Sequence, residues 1–501
     1  MGPAKDQSQP IQAQLGLWDA VSIIVGIVIG ASIFKTPPLI MNNVATPWMG
    51  LGVWALGGLL SLIGALCYAE LATAYPRSGG DYVYLTRAFG PWCGFLFGWA
   101  QLAILLTSST GMMGFIFADY AVDLWSLERQ YAVWFALAAV TVLTAMNLLG
   151  VMAGKWTQNI LSLAKVLGLV GIAWAGFAYG SVQGITQAAP QTSVNFGLAM
   201  IFVLYAYGGW NDAAFVAAEI RRRRNIARCL ILGTLIITLI YLLVNTGYLM
   251  ALGFDGVRGA ETAVAAAVLR QPLGAEAAKA MNILVMISAL GAINGLIFTG
   301  SRVYSSMGAD YRFFSLLGQW HPRLKTPIYS LLAQWVICVL MIFGVGTQWG
   351  RDAINAGLVF IRLEPLPWDK YFGGFDTLLA MTAPVFWAFF LLTGLSLFAL
   401  RQRDPDTERP FLVPLFPVLP LIFCGTCFFM MYSALDYAGT LALFGAFPLL
   451  IGLLLYYASP ERRDLERLPA PTSAQTDELS EPTQVEPSHA TDLFTHKETL
   501  P

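Results

Sequence analysis

Stretches of about 20 apolar residues recur from residue 18 to residue 457, each long enough to cross a bilayer as a helix. A membrane helix satisfies its own backbone polar groups, so these runs read as helices. Composition agrees: 57% of the chain is hydrophobic and 12% charged, against roughly 25% charged in a soluble chain. With so little charge to cover a surface, the lipid bilayer is the expected environment. A soluble enzyme, a nucleic-acid binder and a secreted disulfide scaffold are excluded together. The net charge of −1 gives no reason to expect a polyanionic partner.

The apolar pattern predicts an all-α polytopic membrane protein with twelve transmembrane helices. They are expected at about 18–40, 48–74, 88–118, 132–150, 157–180, 196–219, 228–251, 278–306, 327–346, 376–400, 411–433 and 437–457. Residues 1–17 form a polar N-terminal segment with no features of a cleavable leader. From 458 to 501 the chain turns rich in Pro, Ser, Thr and Glu, the composition of a disordered tail. Placing both termini in the cytoplasm puts 20 of the 29 Lys/Arg on that side and 7 outside, as the positive-inside rule requires. A multi-pass protein of the plasma or inner membrane follows. The run Arg221 to Arg224 reads as a topological anchor beside an apolar helix. Two long outer loops, 252–277 and 347–375, are placed to pack over a vestibule.

The six cysteines, Cys67, Cys93, Cys229, Cys338, Cys424 and Cys427, fall in or at the ends of apolar runs and read as buried thiols. Of the three histidines only His321 precedes the tail, and no His-Glu-x-x-His occurs. No metal site, cofactor or intramembrane enzyme chemistry is therefore expected.

Two predicted helices are interrupted at mid-depth. The first reads Val25-Gly-Ile-Val-Ile-Gly-Ala-Ser-Ile-Phe34, with Gly30 and Ser32 near its centre. The sixth reads Leu204-Tyr-Ala-Tyr-Gly-Gly-Trp-Asn211, with Gly208 and Gly209 there. Helix 6 opens a second set of five, so the interruptions occupy matching positions in two halves. That is the sequence pointer to a transporter site built on inverted repeats. Unwinding bares N–H groups where one half-helix starts and C=O groups where another ends, suiting an anion and a cation respectively. Close helix packing through small residues is the alternative use of such glycines.

Each ionisable residue at the centre of a membrane helix costs about 2.5–3.5 kcal/mol on insertion scales. The expected set is Lys35, Glu70, Lys165, Asp212 and Glu219. Lys165 lies deep in helix 5, where its ammonium would fill a cation site or carry a proton, unless it snorkels. Glu70 and Glu219 suit ion pairs with the basic cytoplasmic loops. Asp212 follows the helix 6 break, within reach of a substrate amine. Lys35 lies beyond the helix 1 break, where snorkelling outward is expected.

Several segments in order carry a family likeness: Ile29-Gly-Ala-Ser-Ile-Phe34, Ala65-Leu-Cys-Tyr-Ala-Glu-Leu71, Pro76-Arg-Ser-Gly-Gly-Asp-Tyr82, Ala206-Tyr-Gly-Gly-Trp-Asn211, Asn294-Gly295 with Phe298-Thr-Gly-Ser-Arg302, and Arg401-Gln-Arg with Arg409-Pro-Phe411. Over residues 16–433 the chain resembles the amino acid–polyamine–organocation superfamily, L-type amino acid transporter branch. The resemblance implies a LeuT-like five-plus-five inverted repeat with discontinuous helices 1 and 6. The first repeat would span 18–180, the second 196–400, and helices 11 and 12 would occupy 411–457 of a single permease domain, 18–457.

It also implies alternating-access transport of L-amino acids, most simply neutral ones in sodium-independent exchange. Proton symport and exchange of cationic amino acids or polyamines remain as alternatives, and a channel or nutrient receptor on the same fold as a different class. N–H groups around Gly30, Ala31 and Ser32 would hold the substrate carboxylate. Carbonyls of Val28, Tyr205 and Gly208, beside Ala206, would hold the amine, and Tyr205 would be the outer gate. Lys165 would replace a sodium ion between helices 1, 5 and 8, with Ser288 as neighbour, while Asn211 and Asp212 would bear on specificity. The loop 119–131 contains no cysteine, so no disulfide-linked heavy chain is expected.

Overall fold

The computed structural model describes residues 16–76, 80–149, 155–186, 194–211, 223–260, 264–324, 326–368 and 373–459. Seventeen α-helices follow in chain order. The first nine are α1 (Leu17–Val28), α2 (Ser32–Met41), α3 (Pro47–Ala74), α4 (Asp81–Phe89), α5 (Pro91–Ala100), α6 (Leu106–Leu124), α7 (Ala132–Leu148), α8 (Lys155–Tyr179) and α9 (Gln183–Thr186). The rest are α10 (Phe196–Tyr207), α11 (Arg223–Gly259), α12 (Val264–Asp310), α13 (Ile328–Gly346), α14 (Gln348–Phe360), α15 (Gly374–Arg403), α16 (Val418–Ala438) and α17 (Ala442–Ala458). No strand occurs among the described residues. All twelve expected segments hold helix, the sixth being described only as far as Asn211.

Boundaries differ where the chain has local reasons to stop or continue. A π turn, Gln101–Leu105, joins α5 to α6 in one span that continues to Leu124, carrying Asp119 and Asp123 into contact with Lys35 and Asn282. Helix 11 begins at Val418 rather than 411, after Pro417 at its N-cap. Both long loops are partly helical. Helix α11 resumes past a non-helical Gly253, α12 contains another at Gly274, and 347–375 holds α14, capped by the Thr347 hydroxyl.

Packing sorts the helices into two bodies. One consists of α1, α2, α3, α10 and α11; the other of α6, α7, α12 and α13; and α8 touches both. Close contacts fix the directions. Helix α8 runs parallel to α11, since a side chain at Gly176 would strike the backbone of Gly247, and one at Gly180 that of Met250. Across the other body, Asp123 meets Asn282 and the backbone of Gln101 meets Tyr304, so α6 and α12 are antiparallel. Near the other end of its exposed stretch α8 meets α12, where Gly168 abuts the Leu284 side chain.

Ion pairs tie the termini of the bundle. At the end predicted to be cytoplasmic, Arg401 grips Glu70 with two bonds of 2.7 and 2.6 Å, and the Val413 N–H donates to the same carboxylate at 2.7 Å. The expected ion pairing of Glu70 is therefore present, fixing α3 to α15. Nearby, Asp404 accepts from Arg87 and from the Tyr75 hydroxyl, both at 2.9 Å.

Candidate functional site

Both interruptions are present, and they face one another. Helix α1 stops at Val28, three non-helical residues follow, and α2 starts at Ser32 with Ala31 as its N-cap. No side chain caps that N-terminus, so the first N–H groups of α2 point into the break, where the half-helix dipole favours an anion. Ala31 is fully buried and Ser32 is 5% exposed. Helix α10 stops at Tyr207. Gly208 turns extended at φ −55°, ψ 152°, and Gly209 takes φ +107°, a conformation that effectively requires glycine. The Asn211 side chain folds back to accept the Gly209 N–H at 3.3 Å.

One side chain, unremarked in the sequence, joins the two breaks. The Tyr241 hydroxyl of α11 lies 3.1 Å from the Val28 carbonyl and 3.0 Å from the Ala206 carbonyl, which end the two first half-helices. Its ring is fully buried, with the Trp54 and Tyr207 rings 5.4 and 5.1 Å away, and Tyr207 in turn donates to the Trp54 carbonyl. The Val28 carbonyl also accepts the Gly30 N–H at 2.6 Å, and the Tyr205 carbonyl accepts the Gly208 N–H at 3.0 Å. With one proton, the Tyr241 hydroxyl donates to one of the Val28 and Ala206 carbonyls at a time, while the Val28 oxygen keeps the Gly30 N–H. An ammonium arriving at these carbonyls displaces the bond of the tyrosine hydroxyl.

Tyr205 lies in the last turn of α10, its ring edge-on to Phe375 of α15 at 5.5 Å. Beside it lies a charged cluster. Lys35 does not snorkel outward as its position beyond the break suggested: it is 6% exposed and bonded to Asp119 at 2.7 Å. Burial costs both charges their hydration, a cost that the short bond between them offsets. Asp376, next to Phe375, is 3% exposed and close enough to feel both charges of that pair, while its Oδ1 has no hydrogen-bond partner among the described residues. Neither acid was in the expected set of intramembrane ionisable residues: Asp119 lies one residue past the boundary drawn at 118, and Asp376 stands on the boundary drawn at 376.

Lys165 is 3% exposed, with no carboxylate paired to it among the described residues. Snorkelling to the surface is therefore ruled out. Ser288 of α12 is 1% exposed and its hydroxyl has no partner among the described residues. Lys165 lies three residues before Gly168 and Ser288 four after Leu284. Each side chain lies about one turn from the point where Gly168 meets Leu284. Helix α1 also touches α8. Asp212, Glu219 and Arg221 to Arg224 lie outside the residues whose side chains are described. No group of His, Cys, Asp or Glu able to hold a metal occurs among the described residues.

A polytopic helical membrane protein with two broken helices facing across a buried site is the class these features define. Residues 15–454 match the amino acid permease family, to which the chain belongs. It is 28% identical over 423 residues to the b(0,+)-type amino acid transporter 1 of Mus musculus, covering 82% of this chain and 80% of that one. Identity to the serine/threonine exchanger SteT of Bacillus subtilis (strain 168) is 25% over 461 residues, 90% of this chain and 98% of that one. The cystine/glutamate transporter of Homo sapiens is 28% identical over 444 residues, with coverages of 86% and 82%. Among solved structures, the inward-facing conformation of Mhp1 aligns at a TM-score of 0.55 over 94% of this chain and 98% of that one, at 12% identity. That likeness bears on the fold alone and supports the LeuT-like arrangement of broken helices 1 and 6.

Proposed function

We propose that this protein carries L-amino acids across the membrane by alternating access, most simply as a sodium-independent exchanger. The observation that carries the reading is the pair of facing breaks bridged by Tyr241. It leaves the N-terminus of α2 without a side-chain cap and gathers the Val28 and Ala206 carbonyls on one hydroxyl, a donor set and an acceptor set of the kinds a zwitterion requires. The carboxylate would bind across Gly30, Ala31 and Ser32, and the amine at Val28, Tyr205, Ala206 and Gly208, with Tyr205 closing the outer side. Lys165, a fixed cation between helices 1, 5 and 8, would take the place of sodium, with Ser288 beside it. Asn211 and Asp212 would tune specificity. The exchangers among its relatives add support.

The protein would lie in the cell membrane as one permease domain, 18–457, with both termini and the 458–501 tail cytoplasmic. With every cysteine buried, it would act without a disulfide-linked partner. Proton symport is the second reading, favoured by the burial of Lys165 without a carboxylate partner. Proteoliposome uptake from an amino acid panel, with and without internal substrate, tests the proposal. Uptake that needs internal amino acid, ignores sodium and persists at symmetric pH supports exchange. Uptake driven by a pH gradient into empty vesicles supports symport, and no uptake of any amino acid refutes both.

A further inference from the structure

The Lys35, Asp119 and Asp376 cluster sits immediately outside the two breaks. Lys35 is three residues beyond Ser32, hence on the same face of α2 and one turn outward. Asp376 follows Phe375, whose ring rests against Tyr205 at the end of α10. The cluster is therefore reached from the amino acid site in about one helical turn, roughly 5.4 Å. Among the described residues its charges do not balance. Lys35 is bonded to Asp119 at 2.7 Å, which leaves the carboxylate of Asp376 in excess. One turn further out on α6, Asp123 accepts from the neutral Asn282 amide at 2.5 Å, which adds a second uncompensated negative charge. A buried carboxylate oxygen without a donor is costly, and the cost is relieved when a donor arrives.

We infer that Asp376 is a specificity-determining residue of this site, receiving the cationic end of a substrate side chain while the α-carboxylate and α-amine occupy the helix breaks. This rests on the reading of the breaks as an amino acid site. The substrate class it selects is the basic amino acids, whose flexible stems span about one helical turn between the α-carbon and the charge. Lys35 is bonded to Asp119, which leaves Asp376 Oδ1 without a donor among the described residues. The surplus negative charge also excludes acidic amino acids, which would add a carboxylate beside two others.

The test is counterflow of labelled leucine in proteoliposomes of the full-length protein, challenged with unlabelled arginine, ornithine, leucine and glutamate. In the natural protein arginine and ornithine should compete and glutamate should not. Asp376→Asn, nearly isosteric, should weaken competition by arginine and ornithine tenfold or more while leaving leucine within threefold. Asp376→Glu should restore basic-substrate competition and shift preference toward ornithine, because the carboxylate then reaches one methylene further. If Asp376→Asn is not stable enough to reconstitute, the competition pattern of the natural protein and of Asp376→Glu decides. Failure of basic amino acids to compete in the natural protein overturns the inference. So does an unchanged arginine-to-leucine ratio in Asp376→Asn, or loss of both substrates by the same factor. Absence of counterflow with any amino acid would instead overturn the proposed function.

Discussion

Replacing Lys165 with methionine should make the protein more stable and less active at once. The ammonium is 3% exposed, and among the described residues no carboxylate pairs with it and the Ser288 hydroxyl, about one turn from the helix contact, has no partner. A lysine in such a place costs about 2.5–3.5 kcal/mol on insertion scales before any pairing. Methionine keeps the unbranched stem and removes the charge, so most of that cost is recovered, less about 1 kcal/mol for imperfect filling of the space left by the ammonium. A gain of roughly 2 kcal/mol should raise the apparent melting temperature in detergent by a few degrees. Transport should fall to background, because the interface of α1, α8 and α12 would lack its fixed cation. Fluorescence-detected size-exclusion after heating gives the first quantity, and counterflow the second. A melting temperature that drops would show that the ammonium is well compensated in the resting protein. Full transport by Lys165→Met would remove this lysine from the mechanism.

Tyr241→Phe deletes the hydroxyl between the Val28 and Ala206 carbonyls, leaving at least one buried acceptor unmet in the empty protein at about 1–3 kcal/mol; a bound ammonium meets the same acceptors, so substrate affinity by scintillation proximity should rise severalfold, and a fall would contradict the displacement described above. Gly209→Val forces a β-branched residue to φ +107°, a strain of about 1–3 kcal/mol, and should abolish substrate-induced thermal stabilisation while the protein still elutes as a folded species; retained stabilisation would separate the α10 break from binding. Glu70→Ala strands Arg401 at the inner end of α3 and should cost about 3–5 kcal/mol, seen as a lowered melting temperature that Glu70→Met with Arg401→Met largely restores. Unrestored stability in the double variant would mean that the carboxylate matters chiefly for the Val413 N–H.

Hydropathy and glycine placement made the spans and both breaks legible, since lipid penalises each departure from helical apolarity and Gly30 and Gly208 stand out against that background. Lys165 was legible for the same reason. Tyr241 was not, because a tyrosine in the middle of an apolar helix is ordinary and its two acceptors are 213 and 35 residues away in the chain. Asp119 and Asp376 were missed at helix edges, where hydropathy fades gradually and a carboxylate reads as the beginning of a loop. Lys35 was visible, but its pairing with Asp119 depends on how α2 leans on α6, which no local pattern encodes.

Helix α8 is fastened at two heights to two different bodies. Gly176 brings its backbone onto α11, whereas Gly168 seats it on α12 through Leu284. Between them lies Gly171, where an added side chain would find open space and where the helix is intrinsically weakest. If the two bodies rock, neither contact can slide freely, and the mismatch has to be absorbed within these eight residues. The helix then works as a flexure, bending at Gly171, and its bend angle becomes a direct gauge of which side of the membrane the site faces.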